Sequence, residues 1–364
     1  MADDNDELLD AITDVIPKLL GVMDAFEQVQ ANAHPGRYDR LAEYLAPYGN
    51  QLAEANSRFA PLSFPEELMP FRDRIAGGIE YALRACDNIQ RHGEGTGRVM
   101  QAMRAQCRAQ ESIYPLAAIM SPVSQYFVEA PSRTNQDLLQ QLYEGADRAG
   151  VGLHHARNDR DTRGGFSLYV PENLPEDKPA SLVIALHGGT GHGADFIWSW
   201  LREARTRGFI LMAPTSQSNT WSLMGEELDL PALLAMLDLV KGERAIDESH
   251  ILLTGMSDGG TWSLVAGLNA DSPFTHLAPF SGVLHPDIPM SGNIRHADGR
   301  PIYLVHGTQD WMFPVEVAWM AKQELEAAGA DLTFRIIEGL SHTYARGENP
   351  ALIEWFNPDL KLPG

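Results

Sequence analysis

Apolar positions in the first 149 residues recur at three- and four-residue steps. Leu8, Leu9, Ile12, Val15, Ile16, Leu19, Met23 and Phe26 fall on one face of a helix, which Pro35-Gly36 ends. The spacing predicts a second helix over 38–59, kinked near Pro47. Pro61 and Pro65 punctuate the chain, and Pro65 suits the first turn of the next helix. That third helix carries Phe71, Ile75, Ile79, Leu83 and Cys86 and closes in the glycine-rich loop 93–97. A fourth spans 99–114, and a shorter pair lies near 123–128 and 134–149. β-alternation is almost absent here. The prediction is an all-α domain over residues 1–149, a bundle burying its stripes against one another.

The pattern then switches. Strand candidates are 166–170, the continuous apolar run 181–186, 209–213, 250–254, 276–280, 301–305 and 332–337. Helical stretches at 194–207, 226–240, 259–269 and 315–328 lie between most of them. A run such as Leu182-Val183-Ile184-Ala185-Leu186 suits a strand buried on both faces. Strand–helix alternation at this spacing predicts an α/β domain over residues 150–364, a mainly parallel sheet flanked by helices. Residues 158–165 form a polar turn before the first predicted strand.

Composition narrows the functional classes. With 28 Lys+Arg against 49 Asp+Glu, the formal net charge is −21. Nucleic-acid binding needs a basic face, and docking on an anionic membrane needs one too, so neither partner is expected. The two cysteines, Cys86 and Cys107, form no C-x-x-C and no disulfide framework. The opening Met1-Ala2-Asp3-Asp4-Asn5-Asp6-Glu7 is acidic where a secretory signal is basic, and no apolar run approaches the ~18–20 residues of a membrane span. The expectation is a soluble cytoplasmic protein.

The strongest chemical signal is Gly255-Met256-Ser257-Asp258-Gly259-Gly260, a G-x-S-x-G placed where a strand ends and a helix begins. So tight a turn strains the serine backbone, and Gly255 and Gly259 remove the clashes that side chains would bring. Ser257 is thus the candidate nucleophile. It needs a base, and on this architecture the chain order is Ser, acid, His. His342 follows the last predicted strand at the carboxyl edge of the sheet, where sites gather. His276 opens a strand at the other edge, His285 and His296 lie in the loop after it, and His306 holds a turn. Asp310, in the loop after the 301–305 strand, is the candidate acid, with Asp287 its competitor. Asp258 lies inside the elbow and points wrongly for a base.

An oxyanion hole draws one donor from the backbone N–H of Asp258 and another from Leu186-His187-Gly188-Gly189, by preference Gly189 with Gly188 as the alternative. One such donor is worth about 3–4 kcal/mol of transition-state stabilisation. The stretch Gly189-Thr190-Gly191-His192-Gly193-Ala194 also fits a loose dinucleotide fingerprint. That fingerprint needs an acid at the end of the next strand, and Met212-Ala213-Pro214-Thr215-Ser216 has none. Trp221 and Trp311 are the substrate-pocket candidates, and His192 reads as a surface histidine.

Taken together, Leu186-His187-Gly188-Gly189, Gly255-Met256-Ser257-Asp258-Gly259-Gly260, His306-Gly307-Thr308-Gln309-Asp310 and Ser341-His342 resemble the α/β-hydrolase superfamily, in particular its phospholipase/carboxylesterase and polyhydroxybutyrate depolymerase/feruloyl esterase-like branches. The resemblance covers about residues 163–360. It implies a serine carboxylesterase that uses Ser257, His342 and Asp310 without cofactor or metal on a small or medium ester. Thioester, peptide and lactone hydrolysis use the same triad. A reading from another class is a non-catalytic hydrolase-fold interaction protein. The helical half matches no family. The stretch 282–300 is too short for a helical cap, so the helical half is expected to act as a lid, with aromatic residues of 121–128 on the pocket wall, or as a homodimerisation module.

Overall fold

The computed structural model describes residues 2–95, 97–175 and 178–362, so Thr96 in the predicted 93–97 loop lies outside the described residues. The chain divides into two compact units, Met1–Leu139 and Gln140–Gly364.

The first unit is helical: α1 (Ala2–Ala31), α2 (Tyr38–Phe59), α3 (Met69–Gln90), α4 (Arg98–Ile113) and α5 (Ser121–Tyr126). Pro17 and Pro47 lie inside α1 and α2, and each helix continues through its proline, so no break occurs at Pro47. Pro65 precedes a short 3-10 turn, and Pro70 occupies the first turn of α3 instead. The apolar stripes meet in one core holding Val15, Leu19, Val22, Phe26, Leu45, Leu52, Ile75, Ile79, Ala109 and Ile113. Gly78 permits close approach of helices: a Cβ there would come within 3.2 Å of Leu19 and closer still to Ile113. The aromatic residues of 121–128 belong to this packing. Phe127 stands edge-on to Tyr114 and Tyr126, and the Tyr126 hydroxyl donates to Glu27.

The unit boundary falls inside α6 (Gln136–Gly145), at 139/140 rather than at 149/150 where the apolar pattern changes. The end of α6 and the following turn are tied to the sheet. Arg148 donates to the carbonyls of Glu172 at 2.5 Å and Leu174 at 2.8 Å, and a Cβ at Gly145 would collide with the Glu172 carbonyl.

The second unit holds β1 (Gly152–Ala156), β2 (Phe166–Val170), β3 (Ala180–Leu186), α7 (Gly193–Phe196), α8 (Leu201–Arg207), β4 (Ile210–Pro214), α9 (Asp229–Glu243), β5 (Ile246–Met256), α10 (Asp258–Gly267), β6 (His276–Phe280), α11 (Asp287–Met290), β7 (Pro301–Gly307), α12 (Val315–Ala327), β8 (Asp331–Ile337) and α13 (Asn349–Phe356). The strands form an 8-stranded sheet in the order β1-β2-β4-β3-β5-β6-β7-β8. β2 runs antiparallel to β1 and β4; every pairing from β4 through β3 to β8 is parallel. This is the mainly parallel, helix-flanked sheet expected of residues 150–364. Central strands β3 and β4 are buried along their whole length, which is why their sequences are continuous apolar runs.

Two elements differ from expectation. β1, Gly-Leu-His-His-Ala, is a partly exposed edge strand with no apolar alternation to announce it. The helix expected over 194–207 is broken at Ile197–Ser199 into α7 and α8. Ile197, Trp198, Trp200 and Leu201 are all buried, and one straight helix face cannot bury so many near-consecutive side chains. Among the described residues no helix is long and apolar enough to cross a membrane.

Candidate active site

The site grows from the carboxyl ends of β3, β5, β7 and β8. Between β5 and α10, Ser257 adopts φ 56° and ψ −118°, with its N–H donating to the Phe280 carbonyl at 2.9 Å. Such a backbone is costly for a non-glycine residue and persists where its surroundings over-determine it. The neighbouring glycines supply that setting. A Cβ on Gly255 would lie 2.6 Å from the Gly259 carbonyl, and one on Gly259 would lie 2.5 Å from the His187 carbonyl oxygen. α10 therefore starts directly against the end of β3, and the serine stands at its N-terminal end.

His342, in the loop after β8, faces Ser257 with Nε2 3.0 Å from Oγ. Its Nδ1 lies 2.8 Å from Asp310 Oδ2. A carboxylate only accepts, so Nδ1 carries the proton and Nε2 is left to accept the serine hydroxyl. Asp310 is fixed in turn by the N–H groups of Met312 at 2.9 Å and Phe313 at 2.8 Å, both donating to Oδ1. Burial pushes this carboxyl upward. The hydrogen bond from His342 and the N–H groups of Phe313 and Met312 outweigh it, so the group is held below its ordinary value. His306 spans the same turn, donating Nε2–H to the Phe313 carbonyl at 2.8 Å. Phe313 stands edge-on to His342 at 5.4 Å and Trp311 does so at 6.2 Å; Trp311 is 54% exposed.

The competing residues lie elsewhere. The Asp287 carboxylate is exposed at the start of α11, 3.6 Å from His285. His276 stacks on His250 and meets Trp355 and Phe356 edge-on, and burial lowers its imidazole to about 4.

The backbone N–H groups of Gly189 and Asp258 find no acceptor among the described residues. Gly188 flanks the serine: a Cβ there would sit 3.5 Å from that of Ser257. Beneath this loop His187 is buried. Its Nδ1–H donates to the Gly188 carbonyl at 2.7 Å and its Nε2 accepts the Ser216 N–H at 3.1 Å. Burial, with the charges of Arg163 and His192 nearby, lowers this imidazole to about 3, so it stays neutral in this role.

Two expectations need correction. Trp221 is only 3% exposed; its Nε1–H donates to the His187 carbonyl at 2.7 Å and its ring stacks on Trp262 at 4.9 Å. It braces the loop from below and is not a pocket wall. His192 is buried, not on the surface. Its Nδ1 caps α7 by accepting the Ala194 N–H, and its Nε2–H donates to the Thr162 carbonyl. Four supporting residues carry no sequence signal for the part they play: His187, Thr220, Arg163 and Phe313. His187 lies inside a motif already marked and Phe313 follows just after Asp310, whereas Arg163 stands apart, since its partners are some 28 to 55 residues away.

Comparison with known proteins agrees with the fold. A family model described as Phospholipase/Carboxylesterase matches residues 223–355, a stretch that contains Ser257, Asp310 and His342. A probable feruloyl esterase C of Aspergillus oryzae is 28% identical over 190 residues, 47% of this chain and 65% of that protein. A bifunctional acetylxylan esterase/xylanase of Neocallimastix patriciarum is 29% identical over 148 residues, 39% of this chain and 21% of that protein. The chain thus spans less than two thirds of the length of these curated relatives. A thermostable esterase of known structure aligns with a TM-score of 0.45 and 23% identity, covering 56% of this chain and 61% of that one. The mainly parallel sheet and the family match converge on one conclusion: the second unit has an α/β-hydrolase fold and is similar to the phospholipases and carboxylesterases.

Proposed function

We propose that this protein is a serine hydrolase of carboxylic esters. The observation that carries the reading is the continuous hydrogen-bonded line from Ser257 Oγ through His342 to a buried, pinned Asp310. In this reading Ser257 Oγ attacks the ester carbonyl as His342 Nε2 takes its proton, and Asp310 stabilises the imidazolium so formed. The N–H groups of Gly189 and Asp258 receive the oxyanion. His342 returns the proton to the departing alkoxide, leaving an acyl group on Ser257. Water, deprotonated by the same imidazole, then resolves the acyl-enzyme. In this reading Trp311 and Phe313, whose rings meet His342 edge-on, contact the substrate. The names of the similar proteins support an ester rather than an amide as substrate.

Ser257→Ala tests the proposal. Loss of one hydroxyl should leave the fold intact and lower ester turnover at least about a thousandfold, because triad members act as a unit. Turnover within tenfold of wild type in a contamination-checked preparation would remove Ser257 from the mechanism.

A further inference from the structure

The two N–H groups proposed for the oxyanion belong to separate stretches of chain, Gly189 to the loop after β3 and Asp258 to the first turn of α10. Such donors lower the barrier only when both aim at the point where charge develops. One side chain spans the two stretches. Asp258 Oδ2 accepts the Thr220 hydroxyl at 2.5 Å and lies against Gly189, where a Cβ would come within 2.6 Å of it. Thr220 sits between two residues that grip the same loop. The Asn219 carbonyl accepts the Thr190 N–H at 2.8 Å, and Trp221 donates to the His187 carbonyl at 2.7 Å. Behind them Arg163 donates to the carbonyls of Gly191 at 2.7 Å and Ser216 at 3.1 Å, pinning both loops together.

A carboxylate is an unfavourable choice this close to a developing negative charge. Oxyanion binding itself therefore does not account for the side chain at position 258, whereas a strong acceptor for Thr220 does. We propose that the Thr220–Asp258 hydrogen bond is a latch that sets the two arms of the oxyanion hole against each other. Both are positioning residues, acting through the N–H groups they hold. The inference rests on the serine-hydrolase reading given above.

Steady-state kinetics on one ester separate the possibilities. Thr220→Val and Asp258→Ala should each lower kcat by about 10–100-fold, the scale expected when catalytic groups are misplaced by ~1 Å. KM should stay within about threefold, since the oxyanion exists only beyond the ground state. Thr220→Ser and Asp258→Asn, which keep a hydroxyl donor and an oxygen acceptor, should recover most of the loss. The Thr220→Val/Asp258→Ala double variant should be no slower than the slower single variant, as expected of one shared bond. Wild-type kcat in Thr220→Val, a loss confined to KM, or losses that multiply in the double variant would overturn the latch. Should Asp258→Ala fail to fold, the Thr220→Val and Thr220→Ser pair decides alone. A wild-type protein that hydrolyses no ester would instead overturn the underlying reading, and the latch with it.

Discussion

At the scale of single residues, the site is a set of side chains whose protonation and direction are dictated by their partners. Asp310 and Asp287 make the point by contrast. One is buried and accepts three hydrogen bonds, from Met312, Phe313 and His342; the other is exposed. Asp310→Asn should therefore lower turnover on the order of ten-thousandfold, because an amide leaves the imidazole in the wrong tautomer. Asp287→Asn should stay close to wild type. Rates measured side by side check this, and a reversed result would reassign the acid. His187 supplies a pH dependence of folding. Its imidazole titrates at 6.5 when unperturbed and at about 3 here, so between those values the unfolded chain binds more protons. Stability should fall as pH drops from about 6.5 toward 3, by up to about 1.4 kcal/mol per pH unit from this group. Urea unfolding across that range should show a flatter dependence in His187→Asn than in wild type, whatever the baseline stability of the variant. Parallel pH profiles would contradict the assignment.

At the scale of elements, strands and their ends were legible in the sequence while the bracing between loops was not. Strands β2, β3 and β4 and the second half of β5 are marked by apolar runs, because burial on both faces leaves little polar alternation, whereas the edge strand β8 is marked by alternation, with Leu332, Phe334 and Ile336 between polar residues. Ser257, Asp310 and His342 each follow a strand, and chain order alone pairs them. β1 escaped because an exposed edge strand needs no apolar face, and the broken α7–α8 stretch escaped because its break comes from tertiary burial rather than from proline or glycine. Trp221 and Trp311 look alike as loop tryptophans, and only three-dimensional packing separates them. That difference is testable. Trp221→Phe leaves the His187 carbonyl without its donor and should destabilise the fold by about 1–3 kcal/mol. Trp311→Ala removes a half-exposed ring and should leave Tm nearly unchanged while raising KM for bulky esters. Thermal unfolding and an ester panel on both variants check the pair.

At the scale of the whole molecule, every residue assigned to the chemistry lies in the unit Gln140–Gly364. A chain beginning at residue 140 should fold and hydrolyse esters. One beginning at 150 should unfold at a lower temperature, since it lacks the Arg148 bonds to the Glu172 and Leu174 carbonyls. The central claim, however, is a covalent acyl group on one serine. Rapid quenching of the full chain with an activated ester such as a p-nitrophenyl ester, followed by peptide mass spectrometry, tests it most directly. The account predicts a burst of alcohol release and a single added acyl group on the peptide that contains Ser257, both absent in Ser257→Ala. Turnover with no adduct on that peptide, or an adduct that persists in Ser257→Ala, would contradict it.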